Sequence, residues 1–461
     1  MRRLVGIGAA AAVWLLGPGA ALAQPALADG DAQAIVDALR DAPQQGLPAV
    51  EPPDPSDAAA LARAAVSYAL DEHGRIRDPE SVDRNFALRA PYDADGAFAR
   101  AVAAHEVADW LARQTRSDPG YLALVAARGR YAGIVEAGGW PALPGGAALS
   151  PGGRDERVPQ LRQRLAAEGY GDGADPGPGG ALVFEPSLSA LLADFQAHHG
   201  LSATGALDDA TLEALNVSAQ ARLDAIDANL ERERWLPVQL PPTRIVADIG
   251  GPVVRLYEND QMTLEMRAVA GEPPRPTPIF ASRVTGVEFN PPWVVPQDIA
   301  ARELWPRQRK DPGYFRDHDF VASRGRLVQR SGPQSSLGYV KFDLPDKFEV
   351  YLHDTPQRAD FDRAARFTSH GCVRLERPRE LAAALLGWTP DEVDQAIDAK
   401  ATHIVALKAP TPVFLVYRTA QAGDDGKVTF RPDVYGWDAE ISDALAGRPP
   451  AETHAATDAA P

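Results

Sequence analysis

The spacing of apolar positions changes twice along the chain, and each change marks a region. Over residues 57–139 apolar side chains recur at helical spacing, as in Phe98, Ala101, Val102 and His105, followed by Trp110 and Leu111. Alanine-rich runs of this kind predict helices. Residues 157–216 hold three shorter stripes: Val158, Leu161 and Leu165; then Leu188, Leu191, Leu192 and Phe195; then Leu212 and Leu215 behind Asp208, a candidate N-cap. From Thr243 the period drops to two. The runs 244–249, 253–257 and 264–269 are short, β-branched and bounded by Gly, Asn-Asp and Gly-Glu-Pro-Pro turns, which predicts strands. Residues 343–354, 401–407, 413–417 and 428–430 add more. Helices return only at 378–386 and 389–399, the second opened by Thr389-Pro390. The expected fold is an α+β multidomain chain. It has a helical scaffold (24–150), a three-helix module (151–220), a connecting linker or helix (221–242) and a mostly-β domain (243–447).

Both ends read differently. Arg2 and Arg3 precede an apolar stretch over residues 4–16, and Ala21-Leu22-Ala23 offers small residues for cleavage, so residues 1–23 are expected to be a signal peptide. Gly17-Pro18-Gly19 cuts that stretch short of the ~18 residues a spanning helix needs. The expectation is a soluble, periplasmic protein with no membrane anchor after cleavage. Residues 448–461 read as a disordered tail. The 41 prolines and 39 glycines gather at the joints between regions, and 45% hydrophobic residues suffice for a full core. A formal charge of −16 argues against a nucleic-acid or anionic-membrane partner, which would need a basic face.

One cysteine, Cys372, occurs in the whole chain, within Ser369-His370-Gly371-Cys372-Val373-Arg374. A lone thiol cannot close an intramolecular disulfide, and its polar, glycine-containing setting makes it a candidate nucleophile. Read as a strand, residues 347–353 put Phe348, Val350 and Leu352 on an apolar face and Glu349, Tyr351 and His353 on the other. Asp354 would then point away from His353, leaving a backbone carbonyl to orient the imidazole. A free thiol near pKa ~8.5 is only a few per cent ionised at neutral pH, and a histidine in contact would lower that pKa through a thiolate–imidazolium pair. Gly371 opens the approach of a carbonyl carbon and lets main-chain amides face an oxyanion. Arg374 offers a fixed charge for a substrate carboxylate or for the thiolate, with Arg363 and Arg366 nearby in sequence. Spacing alone leaves His353 and His370 competing as the base, with His403 a third histidine downstream.

These residues carry a resemblance. His353-Asp354-Thr355 followed by Ser369-His370-Gly371-Cys372-Val373-Arg374 is similar to the H-x-T and S-x-G-C-[IV]-R signature of L,D-transpeptidases with a YkuD-type catalytic domain. Gly271 to Phe280, Asn290-Pro291-Pro292-Trp293-Val294-Val295-Pro296, and Leu337-Gly338 with Val340-Lys341-Phe342 resemble the large, lid-bearing branch of that family. Val158-Pro159-Gln160-Leu161-Arg162-Gln163-Arg164-Leu165, Phe195 to Leu201, and Thr211-Leu212 with Leu215-Asn216 resemble a peptidoglycan-binding module. Two departures are Ser331 to Gly338, where the branch has P-G-P-x-N-A-L-G, and Asp248, where it has Asn.

The resemblance implies a YkuD-like β-sandwich with a lid insertion at about 297–336, in place of an ordinary surface loop. It makes Cys372 the nucleophile and His353 the base, with the oxyanion held near His370, Gly371 and Cys372 and Arg374 in support. Tyr351 and Trp293 would form the cleft wall, with Ser369, Asp354 and Thr355 also at the substrate. The implied reaction attacks the third residue of a peptidoglycan tetrapeptide stem, usually diaminopimelate, and expels D-alanine. Resolution by another stem gives a third-to-third cross-link; a lipoprotein lysine, a D-amino acid or water are alternative acceptors. Carbapenems are expected to acylate Cys372. Partners would be stem peptides and glycan, with other cell-wall enzymes, and no metal or organic cofactor is needed. Three other readings stand beside this one: a papain-like cysteine peptidase using His403, a non-catalytic wall-binding protein, and a zinc site from His353, His370 and Cys372.

Overall fold

The computed structural model describes residues 27–174, 180–423 and 425–448. The expected signal peptide, and the expected tail from residue 449 on, lie outside the described residues. Among those described, no helix is long and apolar enough to cross a membrane.

Helices Asp29–Asp41, Ala58–Glu72, Ala94–Ala104 and Val107–Ala112 close on one core containing Ile35, Leu61, Phe98 and Trp110. The three expected stripes become helices Val158–Ala167, Pro186–His198 and Asp209–Leu215, around Leu161, Leu165, Leu192, Phe195 and Leu215. Asp208 caps the third by accepting from the Thr211 amide at 2.8 Å.

The strands, in chain order, are β1 Phe86–Ala87, β2 Arg244–Asp248, β3 Val253–Glu258, β4 Gln261–Gly271, β5 Ile279–Phe289, β6 Trp293–Val294, β7 Phe320–Ser323 and β8 Arg326–Gln329. There follow β9 Val340–Asp343, β10 Leu352–His353, β11 Phe367–Ser369, β12 Val373–Leu375, β13 His403–Val416, β14 Ala420–Ala422 and β15 Val428–Phe430. The main sheet runs β1-β5-β13-β2-β3-β4-β12-β10-β9, and β9 pairs back onto β5, so the sheet curls around its own core. Two sequence expectations change. The runs 401–407 and 413–417 belong to one strand, β13, whose pairing with β5 slips between Ala406 and Thr411. Pro410, which has no N–H to donate, lies in that slip. Residues 343–354 are not one strand, because the chain turns between β9 and β10.

Residues 221–242, expected as a linker or helix, begin as helix. Helix Ala219–Arg234 is a strut buried between the scaffold and the β domain. Its Glu231 carboxylate accepts from the amides of Arg75 and Ile76 at 3.1 and 2.7 Å and from the Trp235 indole at 3.1 Å. Asn229 and Arg232 donate to Thr419, and Arg232 pairs with Asp438. The scaffold enters the β domain directly. β1 extends the main sheet beside β5, and Ile76, Phe86 and Leu88 share its core with Trp235 and Trp437.

Candidate active site

β10 and β12 pair in parallel, with Leu352 opposite Val373 and His353 opposite Arg374. The Val373 amide donates to the Tyr351 carbonyl at 3.1 Å, so the same register places Tyr351 beside Cys372. Tyr351 and His353 from one strand and Cys372 and Arg374 from the next thus form one patch. The expected alternation holds only in part: Leu352 is buried in the core and Tyr351 lines the cleft, but His353 is buried and does not line the cleft, whereas Phe348 and Val350, expected on the core face, do. The expected length does not. The Asp346 carboxylate takes the amides of Phe348 and Val350 at 2.7 and 3.2 Å, and Glu349 adopts φ 56°, so a turn replaces the strand's first half.

His353 is buried, and its Nδ1 lies 2.5 Å from the Asp354 carbonyl oxygen. A carbonyl only accepts, so Nδ1 holds the proton and Nε2 keeps its lone pair free. The Asp354 carboxylate is engaged elsewhere, accepting from Tyr339 and Thr355 amides at 2.9 and 2.8 Å. Gly338 permits this approach: a Cβ there would lie 2.4 Å from the Asp354 carboxyl. Burial, then the neighbouring Arg374 cation, pushes His353 down to about 3.

The thiol differs from expectation. Its hydrogen-bond partner is the Glu349 carbonyl at 4.0 Å, not the imidazole. Burial pushes Cys372 up to about 11 against the lowering effect of the two Tyr351 donors. The resting pair is therefore neutral thiol and neutral imidazole, because neither ion is solvated well enough to form. The Tyr351 ring lies between these roles, with its hydroxyl at the thiol and its centroid 5.6 Å from that of His353.

Around the sulfur, Ser369 Oγ donates to the Cys372 carbonyl at 2.6 Å and accepts from the Gly371 amide at 3.2 Å. Gly371, at φ 111°, makes the sharp turn that needs glycine. Its amide is committed to Ser369, so that amide does not serve an oxyanion in this arrangement. Ser369, Asp354 and Thr355 are buried and brace the loops; none lines the cleft where the substrate was expected to meet them. Arg374 lines the cleft, but its guanidinium pairs with Asp360 at 3.2 Å, which Arg363 also approaches at 3.4 Å. Arg366 donates to the backbone carbonyls of Ala268 and Pro252, a bracing role. His403 stacks on Phe289 and is not on the cleft, which removes the geometry a papain-like pair would need. Among the described residues no three His, Cys, Asp or Glu side chains could hold a metal ion.

The cleft measures about 1200 Å³ and opens onto Cys372, His370, Tyr351 and Trp293. Its far side is the 297–336 insertion, which is no ordinary loop. β6, β8 and β7 form a small sheet, packed with Ile299, Leu304, Phe320 and Leu327 into a separate core. The helical run across residues 297–310 contains one wide π turn at Ala300–Leu304, just ahead of Pro306. Proline cannot donate to the previous turn and would clash with its carbonyl, so the widened turn accommodates it. Glu303 lies on that turn and meets His370 Nε2 at 2.7 Å and Arg275 Nη2 at 2.9 Å. Sequence reasoning missed Glu303 and Arg275. The available signal was a single cation held among Pro273, Pro274 and Pro276.

Residues 242–411 match the family described as the L,D-transpeptidase catalytic domain, YkuD. Residues 154–215 match the family described as "Putative peptidoglycan binding domain". A Haemophilus influenzae protein named "Putative L,D-transpeptidase" is 32% identical over 221 residues, covering 43% of this chain and 45% of that protein. The alignment thus spans less than half of that curated relative. Among solved structures, an L,D-transpeptidase from Mycobacterium smegmatis is 18% identical, with 38% of this chain and 58% of that one covered at a TM-score of 0.22. L,D-transpeptidase 3 from Mycobacterium tuberculosis, in complex with a faropenem-derived adduct, is 14% identical, with 38% and 60% covered and the same TM-score. The sequence matches carry the likeness: residues 242–411 are similar to the L,D-transpeptidase catalytic domain, YkuD, and residues 154–215 before them to a peptidoglycan-binding domain.

Proposed function

We propose that the protein is a peptidoglycan L,D-transpeptidase that works through an acyl-enzyme on Cys372, after export to the periplasm. The observation that carries this reading is a cysteine opening onto a peptide-sized cleft, between the strand of His353 and a lid, in a chain that also carries a match to a peptidoglycan-binding domain. Attack starts from the neutral thiol. As Sγ bonds to the carbonyl carbon of the stem's third residue, its proton passes to Nε2 of His353, with the Tyr351 hydroxyl and amide supporting the developing thiolate. The imidazolium returns that proton to the leaving D-alanine nitrogen as the C–N bond breaks. An amine from a second stem then attacks the thioester, His353 takes its proton, and the thiol is restored. Burial that pushes His353 far down makes it a ready donor to the leaving group.

The test is incubation of purified protein with disaccharide-tetrapeptides, with products weighed by mass spectrometry. A cross-linked dimer that has lost D-alanine is expected. A tripeptide alone would make water the acceptor and the enzyme an L,D-carboxypeptidase; no product and no adduct at Cys372 from a folded protein would leave a wall-binding role only.

A further inference from the structure

Arg374 was the sequence's choice for a substrate carboxylate, yet Asp360 already holds it. Arg275 is differently placed. Pro273, Pro274 and Pro276 restrict its turn. The Gly271 amide donates to Thr277 Oγ1 at 2.8 Å, the Arg275 amide to Glu272 at 2.8 Å, and the Glu272 amide to the Ser369 carbonyl at 2.9 Å. The turn thereby rests against the nucleophile loop, where a Cβ on Gly371 would meet the carbonyl of Pro276 at 3.7 Å. The guanidinium lines the cleft.

Its fork is half used. Nη2 takes Glu303 Oε1 at 2.9 Å and Nε stands 3.6 Å from Glu272, but Nη1 is buried with no partner. A guanidinium matches a carboxylate best through two parallel bonds, and a buried unpaired donor is one a ligand can satisfy. His370 Nε2 meets the same Glu303 oxygen from the other side at 2.7 Å. A carboxylate therefore already sits between a cation and an imidazole, two residues from the nucleophile, and it belongs to the lid. Burial opposes its charge, but His370 and Arg275 keep the Glu303 pKa below its ordinary value, so it stays ionised. The surrounding lid, residues 297–336, carries eight Lys and Arg against five Asp and Glu in a chain of charge −16. That suits an anionic ligand.

We propose that Arg275, seconded by His370, is the carboxylate-recognition site for the acyl-donor peptide, and that Glu303 is its resting occupant, displaced when the peptide's own carboxylate arrives. This rests on the transpeptidase reading above and names what selects the donor. Two carboxylates of a tetrapeptide stem lie close to the scissile bond: the terminal D-alanine's and the diaminopimelate side chain's.

The test measures binding to the full chain carrying C372A, which cannot be acylated, with three disaccharide-tetrapeptides: unmodified, amidated at D-alanine, and amidated at the diaminopimelate side chain. One amide is expected to weaken binding about tenfold, which identifies the carboxylate. R275M should weaken the unmodified peptide by a similar factor and leave that amide unaffected, while E303Q should tighten the unmodified peptide several-fold. Equal weakening of all three peptides by R275M, no change on R275M, no tightening on E303Q, or no binding of any peptide would each overturn the proposal. Acyl-adduct formation by the wild-type chain is read separately. If binding follows the expected pattern and no adduct forms, the transpeptidase reading fails and the carboxylate site stands.

Discussion

The two walls of the cleft are built on opposite plans. The wall that bears Cys372 belongs to the main core, with Leu352, Val373 and Leu375 fully buried and the loop polar groups of Ser369, Gly371 and Asp354 bonded within it. The lid has its own core of five buried residues closed by Val295, leaves Trp305 41% exposed, and touches the nucleophile loop through partly exposed charges centred on Glu303. Such ion pairs contribute about 0–1 kcal/mol each, whereas a buried leucine contributes about 2–5 kcal/mol over alanine. Chemistry requires atoms that stay in place, so the sulfur and imidazole sit in the strongly packed region. Substrate entry requires contacts that break, so the lid is held by the weak ones.

The largest effects are expected on the fixed wall. C372A should abolish the covalent adduct with a carbapenem, read as the mass shift of the intact protein. H353Q should lower the rate of adduct formation by about 10²–10⁴ through loss of the proton acceptor, while R326A on the lid leaves it within a few-fold. An H353Q enzyme acylating at the wild-type rate would remove the distinction between the two walls.

The wall was also the more legible of the two in the sequence. Ser369 to Arg374 and His353 are local signals, and the alternation placed Tyr351 at the cleft and Leu352 in the core, but it also sent His353 outward, and His353 is buried off the cleft. The backbone between Asp346 and Tyr351 was not legible, because one carboxylate taking two amides outcompetes a strand that propensity favours. Nor was the protonation state of the pair. Sequence supplies the groups, but burial of His353 and the position of the Tyr351 hydroxyl decide which charges exist. That the helix at 219–234 is a buried strut was not legible in its sequence. Glu231, Arg232 and Asn229 are polar and buried, and their partners come from segments distant in sequence that only the fold assembles.

The pH profile of the thiol gives the next effect. With Cys372 pushed up to about 11, the thiolate fraction should rise about tenfold per pH unit from about pH 6 to pH 9, without a plateau. Iodoacetamide alkylation followed by mass reads this directly. A thiolate–imidazolium pair would instead give a rate that levels off above about pH 6. Y351F should slow alkylation several-fold at fixed pH, because the lost hydroxyl is one of the two donors that favour the thiolate.

The smallest effect on the molecule as a whole is expected from the lid core, and it tests the comparison most closely. Leu352 and Leu304 are both buried leucines, one in the main sheet and one in the lid. L352A should cost about 2–5 kcal/mol of global stability, seen as a lower midpoint in denaturant with unchanged slope. L304A removes the same atoms from a core that does not include the sheet's residues, so its cost should appear as local opening. The global midpoint should barely move, while trypsin cleavage after Arg307, Arg309 or Lys310 should accelerate by at least tenfold. If L304A instead lowers the global midpoint as far as L352A does, the lid and the wall unfold as one unit. The contacts of Glu303 with His370 and Arg275 would then sit within a cooperative interface too strong to serve as a door.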